Sequence, residues 1–187
     1  MEGAGLMVWT VGHSNRTSAD FVTLLRSHEI QLIADVRRFP GSRRYPHFNQ
    51  ENLSSSLREH GIDYLHFPEL GGRRNPKPDS PNSAWRNEAF RGYADFMETQ
   101  EFRTGIDRLL GEAQKRSTSV MCAEALWWQC HRSMIADYLK AAECRVLHIL
   151  GPQKTEDHRY SQPAQILNGQ LTYHKVEPQP QLALDSK

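Results

Sequence analysis

The chain has few cysteines, almost no net charge and no long apolar run, and each shortage excludes a class of protein. Three cysteines in 187 residues cannot form a complete set of disulfides, which argues against a disulfide-stapled secreted domain. A formal net charge of +1 lacks the strong basic excess of most nucleic-acid-binding domains. No stretch approaches the roughly 18 apolar residues that cross a membrane, and the first residues do not resemble a signal peptide. We therefore expect a cytoplasmic globular protein without a membrane partner.

Short β-like runs alternate with helical patterns along the chain, and this alternation predicts an α/β fold. Five runs are apolar and short enough to be buried strands. They lie at residues 7–11, 32–36, 64–67, 120–122 and 146–150. Strands that alternate with helices form parallel sheets covered by helices on both faces. We expect a single-domain, Rossmann-like three-layer sandwich with a mostly parallel sheet of about five strands.

The remaining segments predict loops and a tail. Residues 1–176 are expected to form the one α/β domain, and the Pro- and Gln-rich residues 177–187 a flexible C-terminal tail. Residues 71–83 are rich in Gly, Pro, Asn and Arg, which predicts a long surface loop of the kind that can cover a site. Residues 12–15, Gly-His-Ser-Asn, follow the first strand and lack the Gly-x-Gly-x-x-Gly pattern, so dinucleotide binding is not predicted.

The strongest functional signal is the pair of motifs Cys122-Ala-Glu124 and Cys130-His131-Arg132. The first follows a buried strand and the second precedes a helix, and ligands of open α/β sheets bind at that edge. A thiol at the start of a helix has a lowered pKa, which favours Cys130 as a nucleophile. Cys122 is either part of the catalytic set or a buried strand residue, and Glu124 could act as a general acid or base.

These motifs do not determine which histidine acts as the general base or orienting group for Cys130. Adjacent helical residues point about 100° apart, so Cys130 and His131 share a target only if the helix begins between them. We therefore expect His13, after the first strand, to be the general base or the orienting group. Metal binding is an alternative, because Cys122, Cys130 and His131 are ligands of the kind that zinc takes. The leading hypothesis requires no cofactor.

An arginine-rich loop suggests the kind of substrate. Residues 37–45 contain four arginines, two aromatic residues and no acidic residue. Arginine suits phosphate groups and aromatic rings suit bases, which predicts a phosphorylated small molecule or a nucleic acid as the partner. The candidate substrate-binding residues are Ser14, Asn15, Arg37, Arg43, Arg44, His131, Arg132 and His158.

The motifs together resemble the DUF488 family, a domain of unknown function. The resemblance rests on residues 10–16, Thr-Val-Gly-His-Ser-Asn-Arg, on Asp35-Val36-Arg37, on residues 69–72, Glu-Leu-Gly-Gly, and on the Cys-Ala-Glu…Cys-His-Arg motif. It covers about residues 9–173 and includes His148, Ile149 and His158. Residues 127–128, Trp-Trp, depart from the more polar stretch of similar sequences. Some family members carry a DNA-repair label, which makes DNA repair one expected role. The resemblance implies the site residues more directly than it implies a reaction.

Three functions are consistent with these observations. The leading hypothesis is a cytoplasmic enzyme, a hydrolase or transferase, with a Cys/His/Glu site at the C-terminal edge of the sheet. Its substrate would carry phosphate, most directly a nucleotide or damaged nucleic acid. The alternatives are a DNA- or RNA-binding module with structural thiols, and a metal-dependent hydrolase that uses Cys122, Cys130 and a histidine. A reversible disulfide between Cys122 and Cys130 would add a redox switch if the two Cα atoms lie within roughly 7 Å.

Overall fold

The computed structural model describes residues 5–175, and a six-stranded sheet forms its centre. The strands are β1 Met7–Gly12, β2 Leu32–Asp35, β3 Asp63–His66, β4 Thr118–Cys122, β5 Arg145–Gly151 and β6 Lys154–Asp157. Their order across the sheet is β3-β2-β4-β1-β5-β6. All neighbours are parallel except β6, which runs antiparallel to β5. The mostly parallel α/β sheet expected from the sequence is confirmed.

Helices cover both faces of this sheet. They are α1 Ser18–Ser27, α2 Gln50–Glu59, α3 Glu88–Met97, α4 Gln100–Ala113 and α5 Arg132–Ala141. The first two pack with one face of the sheet in one apolar cluster, and the last three pack with the other face in a second cluster. The architecture is therefore a three-layer sandwich. None of the described helices is long and apolar enough to cross a membrane.

The central strand β4 shows why the reactive residues lie on one side of the sheet. Side chains alternate between the two faces of a strand. Val120 and Cys122 accordingly join the cluster of α3, α4 and α5, whereas Met121 joins the cluster of α1 and α2. Both faces are covered, so every residue of β4 is buried. Cys122 thus ends the strand on the side of the sheet where α5 begins.

Two local features differ from the sequence expectations. The edge strand β6, Lys-Thr-Glu-Asp, has no apolar residue, so nothing in its pattern indicates a strand. A small hairpin consists of β7 Gln165–Leu167 and β8 Gln170–Thr172, whereas the sequence indicates only one short strand there, the run Leu171-Thr172-Tyr173. Its turn, Asn168-Gly169, has positive φ at both residues (52° and 76°), the signature of a tight hairpin turn. The tail predicted for residues 177–187 lies outside the described residues.

The long loop expected at residues 71–83 contains no helix or strand. We call residues 71–87 the anchored loop, because the buried carboxylate of Asp95 on α3 holds it. Asp95 accepts hydrogen bonds from the Lys77 backbone N–H (2.8 Å), the Ser80 hydroxyl (2.5 Å) and the Asn82 amide (2.9 Å). Three hydrogen bonds to one charged group fix the loop against α3.

Candidate active site

A cleft of about 950 Å³ opens at the C-terminal ends of β1, β2 and β4. This is the edge of an open parallel sheet where ligands are expected to bind. Its buried lining includes His13, Arg37, Cys122 and Cys130, with the half-buried His131 beside them. Residues from three strand ends and one helix start therefore meet at a single place.

Backbone contacts join the segments that follow β1 and β4. The His13 N–H donates to the Cys122 carbonyl (3.0 Å), and the Ser14 N–H donates to the Ala123 carbonyl (2.8 Å). A side chain at Gly12 would overlap the Glu124 carbonyl, so only glycine allows this approach. The reactive segments are thus held by continuation of the strand pairing.

Arg132 is a buried structural residue of this region. Only 1% of it is exposed, and its guanidinium donates to the Glu124 carbonyl and to the Thr10 hydroxyl (3.3 Å). It does not line the cleft. The guanidinium stabilises the turn after β4 from the side away from the cleft. The prediction that Arg132 binds substrate directly does not fit this position.

The centre of the cleft is a cluster of two thiols and one imidazole. Cys130 has extended backbone angles (φ −133°, ψ 149°), whereas His131 is helical (φ −56°, ψ −13°). The helix therefore begins between them, and both side chains aim at one point. The His131 Nδ1 lies 3.6 Å from the Cys130 Sγ and 4.0 Å from the Cys122 Sγ. His131, and not His13, is the imidazole in contact with Cys130.

The two thiols differ in acidity. Burial by itself raises the pKa of Cys130, but a hydrogen bond from the Cys122 thiol and the charges of His131 and Arg132 outweigh it and hold this pKa well below its usual value. The same hydrogen bond, followed by burial, raises the pKa of Cys122. The Arg132 backbone N–H also points at the Cys130 Sγ (3.5 Å). Cys130 is therefore the more acidic thiol of the pair and Cys122 the less acidic one.

A second polar group, next to the thiols, consists of Asp35, Arg37 and His13. The Arg37 guanidinium binds both carboxylate oxygens of Asp35, with Nε at 2.9 Å and Nη2 at 2.6 Å. Its Nη1 lies 3.3 Å from the His13 Nε2, and the His13 Nδ1 donates to the Ser14 carbonyl (2.9 Å). Burial, together with the charge of Arg37, lowers the pKa of His13 to about 4. His13 is thus neutral at pH 7. The Nε and Nη2 groups of Arg37 are already hydrogen-bonded to Asp35.

The structure brings most of the predicted site residues together. Those that line the cleft are His13, Ser14, Asn15, Arg37, Arg44, Cys122, Glu124, Cys130 and His131. The Glu124 side chain is exposed. Arg43 is exposed outside the cleft, and His158 is buried among other residues away from it. Arg43, Arg132 and His158 are therefore the predicted residues that the structure does not place in the cleft.

Two cleft residues are not among the site residues predicted from the sequence. The Tyr93 ring on α3 lies 5.1 Å from the His131 ring, centroid to centroid. Gly72 packs so closely on the other side that a Cβ there would come within 2.8 Å of the His131 Nδ1. The Glu-Leu-Gly-Gly motif marks Gly72, whereas Tyr93 has the spacing of an ordinary core residue. Both restrict the position of the imidazole.

Behind the cleft, Arg132 begins a buried chain of hydrogen bonds. Because the Asp137 carboxylate at the far end of the chain can only accept, the hydrogen bonds run toward it, and the Thr10 hydroxyl, which accepts from the guanidinium, donates to the His148 Nδ1 (2.7 Å). The His148 Nε2 then donates to the His158 Nδ1 (2.9 Å), and the His158 Nε2 donates to Asp137 (3.0 Å).

Trp127 covers this chain. Its ring stacks on His148 with centroids 4.1 Å apart and planes within 6°. It is buried, whereas Trp128 beside it is half exposed. Trp127 is therefore a packing residue over the buried histidines, which explains one of the two tryptophans between the thiols.

The fold and the cleft define an α/β protein with a Cys/His site at the C-terminal edge of a parallel sheet. The family model described as "Domain of unknown function DUF488" matches residues 17–139, about two thirds of the chain. The chain belongs to the DUF488 family, as the motifs suggested. Comparison with curated proteins found no match, and neither did comparison with solved structures. The matched region contains Cys122, Cys130 and His131, but it begins after His13 and ends before His148.

Proposed function

We propose that this protein is a cytoplasmic enzyme, a hydrolase or transferase, that acts on a phosphate-bearing substrate in the cleft. The substrate class that fits best is a nucleotide, free or within damaged nucleic acid. One observation carries the proposal: the Cys130 sulfur and the His131 imidazole are in contact in a cleft lined by cationic side chains.

Exposed arginines give the cleft its preference for anions. Arg38, Arg44 and Arg73 line it, and none of them forms an ion pair with another residue in the range 5–175. Glu124 is the one acidic residue among the described lining residues. Guanidinium groups without a carboxylate partner are available to phosphate oxygens.

Aromatic side chains in the same lining suit a base. Phe39, Tyr45 and Phe90 border the cleft, and Phe39 is 67% exposed. A flat aromatic face offers stacking to any base, whatever its sequence. The combination of unpaired arginines and aromatic rings supports a nucleotide over a simple phosphorylated metabolite.

The reactive groups have distinct roles in this proposal. The Cys130 thiolate is the reactive atom, either as a nucleophile or as a metal ligand, and His131 contacts it directly. Glu124 is exposed in the lining and can exchange protons with a bound substrate. All three cysteines are free thiols, a state that a reducing cytoplasm maintains.

Binding of AMP, measured by calorimetry at low salt, tests the substrate class. Arg44→Gln removes a cation from the cleft and should weaken AMP binding at least fivefold. Arg43→Gln is the matched control, because Arg43 is equally exposed but lies outside the lining, and it should change affinity less than twofold. Equal affinities of the two variants, or no binding by the wild type, would contradict the proposal.

Turnover tests the reaction centre. Nucleotides and short oligonucleotides are incubated with the protein, and products are identified by mass spectrometry. Cys130→Ser should abolish product formation, whereas Cys144→Ser, a change at a buried thiol that does not line the cleft, should not. Circular dichroism of both variants verifies folding. Unchanged turnover by folded Cys130→Ser would contradict a Cys-based enzyme.

Arg43 favours a second candidate function, a nucleic-acid-binding module with structural thiols. It is exposed and adjacent in the chain to the cleft residue Arg44, but it lies outside the lining, so a ligand that contacts both must extend beyond the cleft. This candidate predicts a steep salt dependence of oligonucleotide affinity and a loss of affinity in Arg43→Gln. It also predicts that Cys130→Ser binds oligonucleotides as the wild type does.

A further inference from the structure

We propose that Cys122, Cys130 and His131 bind a zinc ion, or a divalent metal of similar preference, with one coordination position open to the cleft. The inference rests on the proposed function for the location of the reaction centre and names the cofactor of that centre. The two sulfur atoms and one ring nitrogen all lie within 4.8 Å of one another. In the described part of the chain this is the one group of three metal-ligating side chains that meets that distance.

The spacing of the donor atoms matches a tetrahedral ion. Zinc bonds of about 2.3 Å to sulfur and about 2.05 Å to nitrogen, at tetrahedral angles, place neighbouring S and N ligands about 3.6 Å apart. The structure has 3.6 Å between the Cys130 Sγ and the His131 Nδ1, and 4.0 Å between the Cys122 Sγ and the same nitrogen. Both sulfur–nitrogen distances are therefore within a few tenths of an ångström of those around a tetrahedral ion.

The ring of His131 is already oriented as a ligand. Its Nε2 lies 3.1 Å from the Val36 carbonyl and donates to it, so the neutral ring that binds a metal has its lone pair on Nδ1, which faces both sulfur atoms. Metal-bound histidines in general donate their second ring N–H to a carbonyl or carboxylate in this way. Close packing of Gly72 and Tyr93 on the ring reduces its freedom further.

The local charge also suits a metal with two thiolates. Arg132 is buried behind the cluster and forms no ion pair with the other described residues. Two thiolates and a neutral imidazole neutralise a divalent ion, which leaves a centre that can be buried on three sides.

The fourth position distinguishes a catalytic site from a structural one. Structural zinc sites have four protein ligands, whereas catalytic sites have three and leave one position for water or substrate. Here all three ligands line the cleft, so that position faces the substrate space. A metal ion with an open position lowers the pKa of bound water and polarises phosphoryl oxygens. This chemistry would serve a hydrolase in this cleft.

Metal binding to the full chain tests the inference. The protein is stripped with a chelator under reducing conditions and titrated with zinc against a chromogenic competitor. The wild type should bind one equivalent, and Co²⁺ should give thiolate charge-transfer bands with tetrahedral ligand-field absorption. Cys122→Ser, Cys130→Ser and His131→Gln should each weaken zinc binding by about 100-fold or more, an effect at least as large as the loss of a residue that merely supports a ligand. Cys144→Ser should bind as the wild type does.

The outcomes separate this inference from the proposed function. Failure of the folded wild type to bind zinc or Co²⁺, or equal binding by Cys130→Ser, would overturn the metal site. AMP binding and Cys130-dependent turnover in such metal-free protein would leave the proposed function intact, with Cys130 as a nucleophile. If the protein binds one equivalent of zinc but no nucleotide or oligonucleotide, the metal site is supported and the proposed function is contradicted.

Discussion

Acid should destabilise the fold through the buried His148, and replacing this residue should remove most of that effect. Burial first, and with it the charge of Arg132, lowers the pKa of His148 from 6.5 to about 2. Between these two values the unfolded chain binds a proton at this position and the folded chain does not. Stability contributed by the neutral ring is therefore complete above pH 6.5 and is lost progressively as pH falls.

The expected size of the effect follows from this shift. One pKa unit corresponds to 1.36 kcal/mol, so lowering the pH from 7.5 to 4 costs about 3 kcal/mol through His148 alone. The variant His148→Gln keeps one acceptor for Thr10 and one donor for His158 but cannot be protonated. It should lose about 3 kcal/mol less than the wild type over the same range, whatever constant difference the two proteins show at pH 7.5.

Urea unfolding at pH 7.5 and pH 4, followed by tryptophan fluorescence and by circular dichroism, measures how much unfolding free energy the wild type and His148→Gln each lose between the two pH values. His13 also resists protonation, and its contribution is common to both proteins, so it cancels when the two pH effects are subtracted. If the wild type and His148→Gln lose the same free energy between pH 7.5 and pH 4, the buried hydrogen-bond chain does not hold His148 neutral. The assignment of its donors and acceptors would then be wrong.

Three further substitutions test other contacts. Gly12→Ala should lower stability by about 3 kcal/mol or more in urea unfolding, because the new methyl group overlaps the Glu124 carbonyl, and a wild-type midpoint would contradict that packing. Asp35→Asn leaves the buried Arg37 without its carboxylate and should cost about 3–5 kcal/mol in the same assay, whereas a loss below 1 kcal/mol would show that the pair is dispensable. Asp95→Ala removes the acceptor that holds the anchored loop, so limited proteolysis should cut there several-fold faster, with unchanged cleavage as the contrary result.

The sheet could be predicted from the sequence because its strands are buried on both faces. Short, largely apolar runs such as residues 146–150, Val-Leu-His-Ile-Leu, carry that signal themselves. The edge strand β6 could not be predicted, since it is held by pairing with β5 and its own side chains are polar. Hydrophobic patterns in a sequence indicate which residues are buried, and the side chains of the edge strand β6 are mostly exposed.

The thiols of the site could be predicted for a similar reason, but their partners could not. A strand end and a helix start are both visible in the sequence, and they locate Cys122 and Cys130. The choice between His13 and His131 depends on backbone angles at Cys130, which a spacing rule for helices does not describe. The inward turn of Arg132 depends on contacts with Thr10 and Glu124, and no local pattern encodes them.

The position of β4 in the sheet has a consequence for how the protein is made. This strand lies between β1 and β2, although it follows both of them in the chain. A nascent chain that ends before Thr118 has three strands in place but lacks the one that joins β1 to β2. The strand that closes the gap is also the one that carries Cys122. The sheet therefore cannot be continuous from β1 to β2 until Cys122 has been synthesised. Pairing of β4 with these two strands places the first thiol of the reaction centre in the same step.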